Sequence, residues 1–256
     1  MRKNKYIKGN PQLRRMLVRE AARLMYEEGV KQYYDAKRLA AKRILGKGRN
    51  GCSGYRASDL PSNGEISVEL AALVRFYEGD YCDTRLFNMR VAALEIMSQL
   101  TDYFPRLIGS VGAGNVRKGS DIDIHVFCDS LEPLLADLDK INLQYELKTV
   151  SIRKANKMVE YTHVYIDLAY PVELSVYPKL ELRVTGRSST DGKPIIRRSL
   201  DALLQLILDE HGDAWQAYIN HDELAEPETE AETDTEAKPN TRAQRAKENM
   251  WQKNIT

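Results

Sequence analysis

One stretch of the sequence, residues 107–127, constrains the fold and the chemistry more than any other part of the 256-residue chain. Two apolar residues lead into the small pair Gly109-Ser110, and after ten further residues the chain reads Asp121-Ile122-Asp123-Ile124. Successive side chains of a β-strand point to opposite faces, so Asp121 and Asp123 share one face while both isoleucines enter the core. Two carboxylates this close repel each other unless a cation lies between them. The pattern therefore predicts a Mg²⁺ site on a strand, held jointly with substrate phosphates.

The glycine-rich residues between these two motifs match neither of the common phosphate-binding loops. A P-loop requires Lys directly after its last Gly, whereas Lys118 precedes Gly119. A dinucleotide fingerprint requires Gly three residues after Gly114, where Arg117 stands instead. An exposed edge strand could also carry both acids as solvated surface, but the upstream Gly-Ser pair and the flanking apolar residues favour a metal site.

The motif resembles the nucleotidyltransferase superfamily, which includes DNA polymerase beta, the tRNA CCA-adding enzymes and the antibiotic nucleotidyltransferases. Its pattern is an apolar residue, Gly, Gly or Ser, a spacer, then Asp, apolar, Asp or Glu, apolar. Ile108-Gly109-Ser110 and Asp121-Ile122-Asp123-Ile124 match this pattern at every position. Residues 117–120 also look like the polar lead-in of smaller bacterial members.

The resemblance implies a role for each of these residues in a reaction that uses an NTP and two Mg²⁺ ions. Asp121 and Asp123 would bind the ions, and Gly109 and Ser110 would cradle the triphosphate. Three further residues are candidates for contact with the phosphates: Arg117, Lys118 and Ser120.

A third carboxylate is implied on a later strand, and the sequence offers two candidates. Asp167 lies in the segment Tyr-Ile-Asp-Leu, and Glu173 lies in a segment that alternates strictly from Val172 to Tyr177. We favour Glu173 as catalytic residue and metal ligand, because the family usually has this residue on the strand after a hairpin turn. Asp167 stays open as the alternative.

The order of elements predicts a mixed α/β (α+β) fold in which a nucleotidyltransferase-like palm sheet follows an N-terminal helical hairpin and precedes a C-terminal helix. Apolar periodicity predicts helices over 12–28, 30–45, 66–77, 86–104, 131–140 and from 200 onward, and strands over 106–108, 120–127, 145–152, 162–169 and 172–177. We expect a basic helical region with a loop over 1–64, the nucleotidyltransferase-like domain over 65–220, and a disordered charged tail over 221–256.

Charge is segregated along the chain even though its total is close to balanced. Residues 1–50 contain fifteen Lys and Arg against four Asp and Glu, and Tyr26, Tyr33 and Tyr34 lie among them. Such a surface suits a phosphate backbone with some base stacking, so RNA, tRNA or another nucleic acid is a possible partner. A solvated helix face is the other interpretation of the same residues.

Cysteine content and hydropathy predict the compartment. Three cysteines lie far apart and form neither a disulfide framework nor a CxxC pair, and we find no apolar run of about eighteen residues. We expect a cytoplasmic protein without a membrane partner.

The leading hypothesis is a Mg²⁺-dependent nucleotidyltransferase that moves NMP from an NTP to a hydroxyl of RNA, protein or a small molecule. The alternative is a nucleic-acid-binding protein whose nucleotidyltransferase-like domain is inactive. A third hypothesis, an enzyme that modifies an antibiotic or a metabolite, makes the basic N-terminus incidental.

Overall fold

The computed structural model describes residues 10–46, 57–154, 157–188 and 190–224. The chain divides into two compact units. The helical unit comprises Met1–Asp83, Asn115–Gly119 and Gly186–Ile195, and the sheet unit comprises Thr84–Gly114, Ser120–Thr185 and Ile196–Thr256. Over the described residues, no helix combines the length and the apolar character needed to cross a bilayer.

In the described part of the helical unit, the complete α-helices are α1 (Pro11–Glu27), α2 (Tyr33–Leu45) and α3 (Asn63–Glu78). The Asn10 side chain accepts hydrogen bonds from the first backbone N–H groups of α1, and Pro follows it directly. At the start of α3, Ser62 and Glu65 form a capping box in which each side chain accepts from the other's backbone N–H. Small and branched apolar side chains fill the core: Leu17, Ala21, Leu24, Ala36, Ala40 and Ile66.

The sheet unit contains most of α4 (Asp80–Gln99) and all five strands. In chain order its further elements are β1 (Arg106–Leu107), α5 (Gly109–Ala113), β2 (Ile122–Phe127), α6 (Glu132–Lys140), β3 (Tyr145–Lys154), β4 (Lys157–Ile166), β5 (Val172–Tyr177) and α7 (Leu200–Leu224). Ser199 begins α7 by accepting a hydrogen bond from the N–H of Ala202, and the helix bends at His211, whose φ is −138°.

The strands form one mixed sheet in the order β1-β2-β5-β4-β3. Among the strands that the structure describes, only β2 and β5 run parallel, and their register sets Asp123 opposite Glu173. The hairpin β3–β4 lies between them in sequence, and β4 then pairs antiparallel with β5 through His163–Ile166. The parallel pair at the centre of the sheet therefore brings two acidic residues together that are fifty positions apart.

The two faces of the sheet differ in chemistry, as strand alternation requires. One face carries apolar side chains that are at most 2% exposed: Ile122, Ile124, Val126, Val164, Ile166, Val172 and Leu174. The opposite face carries Asp123, His125, His163 and Glu173. Burial of the apolar face fixes the register, because a slip of one residue would move every acid into the core.

The mixed α/β architecture predicted from the sequence is confirmed, with helices before and after a five-stranded sheet. Strand β5 has the predicted bounds, whereas β4 begins five residues earlier and ends three residues earlier than predicted. It begins earlier because it pairs with β3 along its full length. Helix α7 extends four residues into the predicted tail, and the remainder of that segment, 225–256, lies outside the described residues.

Candidate metal centre

Three carboxylates meet on the polar face of the sheet. Asp121 lies immediately before β2, Asp123 lies within it, and Glu173 lies opposite Asp123 on β5. One carboxylate oxygen from each residue lies within 4.8 Å of the other two. Three hard oxygen donors at this separation match what Mg²⁺ prefers. Parity along β2 predicts the first two positions, and the parallel pairing adds the third.

The Asp123 carboxyl resists ionisation in this arrangement. Burial is the largest cause that raises its pKa, the neighbouring charges of Asp121 and Glu173 add to it, and together they bring the pKa to about 7. A carboxyl that is pushed toward its neutral form by other acids gains most from a cation, because the cation offsets both the burial and the repulsion. This electrostatic state fits a cation site better than a solvated acidic surface.

Glu173 is stabilised in its charged form by neighbours on β4. His163 Nδ1 lies 2.6 Å from Glu173 Oε1, and Tyr165 also hydrogen-bonds this carboxylate. The hydrogen bond with His163 lowers the pKa of Glu173, and it outweighs the opposing effect of burial. The acids of the cluster thus differ: Asp123 has a raised pKa and Glu173 a lowered one.

Gly109 approaches Asp123 so closely that no side chain fits. Its φ is +67°, a left-handed conformation that favours glycine, and the N–H of Ile108 donates to the Asp123 carbonyl oxygen at 3.0 Å. The Gly-Ser pair therefore begins α5 directly beside an acidic ligand. Ser110 follows on the same short helix and is half-buried.

Two arginines hold the far end of α5. Arg90 Nε donates to the Val111 carbonyl at 3.4 Å, and Arg198 Nε donates to the Gly112 carbonyl at 2.9 Å. Arg198 also exchanges two backbone hydrogen bonds with Leu107, each of 2.9 Å. Cationic donors suit the carbonyl end of a helix. Arg198 thereby ties the start of α7, β1 and α5 together behind the Gly-Ser pair.

An aromatic layer continues the polar face beyond the acids. His125 is 4% exposed, accepts a hydrogen bond from Arg197 Nε at 3.2 Å, and packs against Tyr177. The Arg197 guanidinium lies 5.0 Å from the centre of the Phe127 ring, and burial lowers the pKa of this guanidinium. Its burial and these contacts favour a structural role for His125.

The remaining predicted residues are distributed over both units. Ser120 belongs to the sheet unit, directly before Asp121. Arg117 and Lys118 belong to the helical unit, where the Arg117 guanidinium donates to the Met25 carbonyl and Lys118 is exposed. Asp167, the alternative third carboxylate, is exposed just past the end of β4 and is not among the three grouped acids.

The basic helices contain several internal ion pairs. Arg14 forms two hydrogen bonds with Glu65, of 2.8 and 2.6 Å. Arg23 pairs with Glu20 and Glu27, and Arg43 pairs with Glu20 and Glu28. Part of the positive charge counted in the sequence is thus neutralised within the helical unit.

Three residues of the site escaped the sequence analysis: His163, Arg90 and Arg198. His163 shares strand parity with Tyr165, but its contact with Glu173 depends on the register of β4 against β5. The arginines bind backbone carbonyls 21 and 86 positions away, and no local pattern signals such a contact.

Comparisons with known proteins find little similarity to this chain. No protein-family model matches the chain, and no curated protein matches it. Among solved structures, a cytoplasmic RNA terminal U-transferase is similar with a TM-score of 0.26 and 16% sequence identity. The likeness covers 46% of this chain and 35% of that one, so less than half of this chain aligns with about a third of the other. A likeness this weak establishes neither family nor activity.

Proposed function

We propose that the chain is a Mg²⁺-dependent nucleotidyltransferase that moves NMP from an NTP to an acceptor hydroxyl. The observation that carries the proposal is the convergence of Asp121, Asp123 and Glu173 within 4.8 Å beside Gly109. A binding module has no need of three acids that destabilise one another, whereas a phosphoryl-transfer site does.

The donor set fits divalent cations, and we take them to be two Mg²⁺ ions. All three donors are carboxylates. The raised pKa of Asp123, about 7, indicates crowded negative charge that cations would offset. When bound, such ions would neutralise the negative charge that develops on the attacking and leaving oxygens. Asp121, Asp123 and Glu173 would hold them, Asp123 and Glu173 from β2 and β5 and Asp121 from the residue before β2.

The other residues of the site bind and orient the NTP in this proposal. Gly109 lets the backbone begin α5 directly beside Asp123, and the Ser110 hydroxyl and backbone N–H groups would donate to phosphate oxygens. The acceptor oxygen then forms a bond to the α-phosphorus as the bond from that phosphorus to the β-phosphate oxygen breaks. Pyrophosphate leaves, and the hydroxyl proton passes to water.

RNA is the acceptor class that we test first, with protein and small molecules as the other classes. The basic character of α1 and α2 motivates this order, although ion pairs of Arg14, Arg23 and Arg43 reduce the charge available to a phosphate backbone. Arg15 and Arg19 remain exposed on α1.

The experiment is transfer of label from each α-³²P-labelled NTP with Mg²⁺ in a cell lysate, followed by separation of RNA, protein and small molecules. We compare the unaltered chain with Asp121→Asn, Asp123→Asn and Glu173→Gln. Asp167→Asn is the matched control, because it removes an exposed carboxylate one strand away. We expect transfer by the unaltered chain and by the control, and none by the three cluster variants.

Each pattern of label discriminates among the hypotheses. Label in RNA supports the proposed acceptor, and label in small molecules alone supports an antibiotic- or metabolite-modifying enzyme. Equal transfer by Asp123→Asn and the unaltered chain would contradict the proposal. Salt-dependent RNA binding without NTP turnover would favour a binding protein with an inactive domain.

A further inference from the structure

A buried histidine holds the third carboxylate of the cluster. His163 lies on β4 and is 7% exposed, and its Nδ1 lies 2.6 Å from Glu173 Oε1. The two residues are diagonal neighbours across the β4–β5 pair, since His163 is opposite Ser175 and Glu173 is opposite Tyr165. Register and burial together leave the imidazole facing one carboxylate oxygen.

The other nitrogen of this ring has no such contact. Within the part of the chain that the structure describes, His163 Nε2 is buried without a hydrogen-bond partner. Leaving a buried polar atom unsatisfied destabilises a fold by about 1–3 kcal/mol. An apolar residue would fill the same space without that penalty, so the histidine is poorly explained by packing alone and well explained by its contact with Glu173.

A glutamate on a strand needs such a contact if its carboxylate is to stay in one orientation. The last torsion of a Glu side chain is broad, so an unanchored carboxylate samples many orientations. Hydrogen bonds from His163 and Tyr165 restrict this rotation. Hydrogen-bonded outer partners of this kind orient metal ligands and tune affinity.

We propose that His163 is a positioning residue: its Nδ1–H fixes the Glu173 carboxylate in the orientation that completes the divalent-cation site with Asp121 and Asp123. This inference rests on the proposed function. It assigns His163 no direct contact with substrate. It predicts that cation affinity depends on the position of the Nδ1 donor more than on the presence of the imidazole ring.

The test compares side chains that differ in where they place a donor. Asn carries its amide nitrogen near the position of His Nδ1, whereas Gln carries it near the position of Nε2, and Leu has no donor. We measure the dissociation constant of Mn²⁺ by electron paramagnetic resonance for the full chain and for His163→Asn, His163→Gln and His163→Leu. His211→Leu, which removes a histidine packed against Phe87 in the same unit, is the control. Thermal unfolding is recorded for every variant.

We expect His163→Leu and His163→Gln to weaken Mn²⁺ binding about tenfold or more. We expect His163→Asn to bind close to the unaltered chain, and His211→Leu to change the melting temperature without changing the affinity. If His163→Leu does not fold, the difference in Mn²⁺ affinity between His163→Asn and His163→Gln tests the inference.

Equal Mn²⁺ affinity in the unaltered chain, His163→Gln and every folded His163 variant would overturn this inference and leave the proposed function intact. Weakening by Asn and Gln alike would also overturn it, because the donor position would then be irrelevant. The proposed function itself fails, together with the inference, if the unaltered chain has no Mn²⁺ site that Asp123→Asn removes.

Discussion

Gly109 and Asp123 are in such close contact that a Cβ atom at residue 109 would lie 2.1 Å from Asp123 Oδ2. The clash is with a side chain that is itself confined in the sheet, so the carboxylate would have to leave its place. Glycine is therefore required at position 109 for two reasons: a side chain would displace the Asp123 carboxylate, and the backbone has a positive φ.

Gly109→Ala is expected to abolish NMP transfer and to weaken Mn²⁺ binding, because it displaces Asp123. The matched control is Gly29→Ala, which has almost the same φ, +66° against +67°, but meets no atom within 4 Å. Both variants should lose roughly 1–2 kcal/mol from left-handed strain, measured by urea unfolding. Retained transfer in Gly109→Ala would show that the Asp123 position is not needed.

The stability of the metal-free protein should fall as pH rises toward neutrality. The folded pKa of Asp123, about 7, exceeds the ordinary value of 3.8, so the folded state binds the proton more tightly than the unfolded state does. Its contribution is then fully present below about pH 4 and is lost as pH rises through about 7. The loss should amount to a few kcal/mol.

The variant Asp123→Asn separates the effect of Asp123 on stability from the effects of the other acids. Without metal, the variant should melt at a higher temperature than the unaltered chain at pH 8 and at a similar temperature at pH 4. Addition of Mg²⁺ should raise the melting temperature of the unaltered chain and of Asp167→Asn but not that of Asp123→Asn. A variant that is less stable than the unaltered chain at pH 8 without metal would contradict the predicted repulsion.

Arg198 is expected to position α5 through its side chain while its backbone maintains the sheet. Arg198→Met removes the hydrogen bond to the Gly112 carbonyl and keeps both backbone bonds to Leu107. We expect a loss of about 1–3 kcal/mol in unfolding free energy, typical of a hydrogen bond from a charged group, and a several-fold rise in the KM for the NTP. Arg187→Met, which removes a comparable bond to the Gly192 carbonyl in the helical unit, should leave KM unchanged.

The ion pair between Arg14 and Glu65 should stabilise the helical unit in a pH-dependent manner. Its hydrogen bonds, together with those that Ser62 donates, lower the pKa of Glu65 from 4.5 to about 2. The contribution is therefore present above about pH 4.5 and is lost as pH falls through about 2.

Glu65→Gln should lower the unfolding free energy at pH 7 by about 0.5–1 kcal/mol, since the pair is partly solvated. The difference should shrink near pH 2 and at high salt. Glu69→Gln on the same helix is the control, because Glu69 lies 3.8 Å from a largely exposed Arg19. An equal effect of both substitutions would show that the close contact contributes nothing.

Local patterns in the sequence predict much of the cluster. Alternation in residues 121–124 is sufficient to predict that Asp121 and Asp123 share a face, and strict alternation from Val172 to Tyr177 predicts β5 with its correct bounds. Both predictions depend only on the alternation of residue types along the sequence, which a single strand expresses by itself. The preference for Glu173 over Asp167 came from a family resemblance, and the catalytic roles of these acids stay predictions.

Contacts that depend on tertiary register could not be predicted. The His163–Glu173 contact requires the pairing of β4 with β5, and the Arg198–Gly112 contact joins positions 86 apart. The basic count of the N-terminal region leaves out another kind of tertiary contact: a sum of charges does not show which arginines pair with glutamates, as Arg14 does with Glu65. Nucleic-acid binding by this region stays a prediction. Composition describes a surface only after such pairs are known.

The most direct test of the central claim is a crystal structure with Mn²⁺ and an NTP analogue that cannot be cleaved between its α- and β-phosphates. Data collected at the manganese edge locate the ions by their anomalous signal. We predict signal at about 2 Å from oxygens of Asp121, Asp123 and Glu173, with the triphosphate beside Gly109 and Ser110. Bound nucleotide elsewhere, with no anomalous signal at these three carboxylates, would contradict the account.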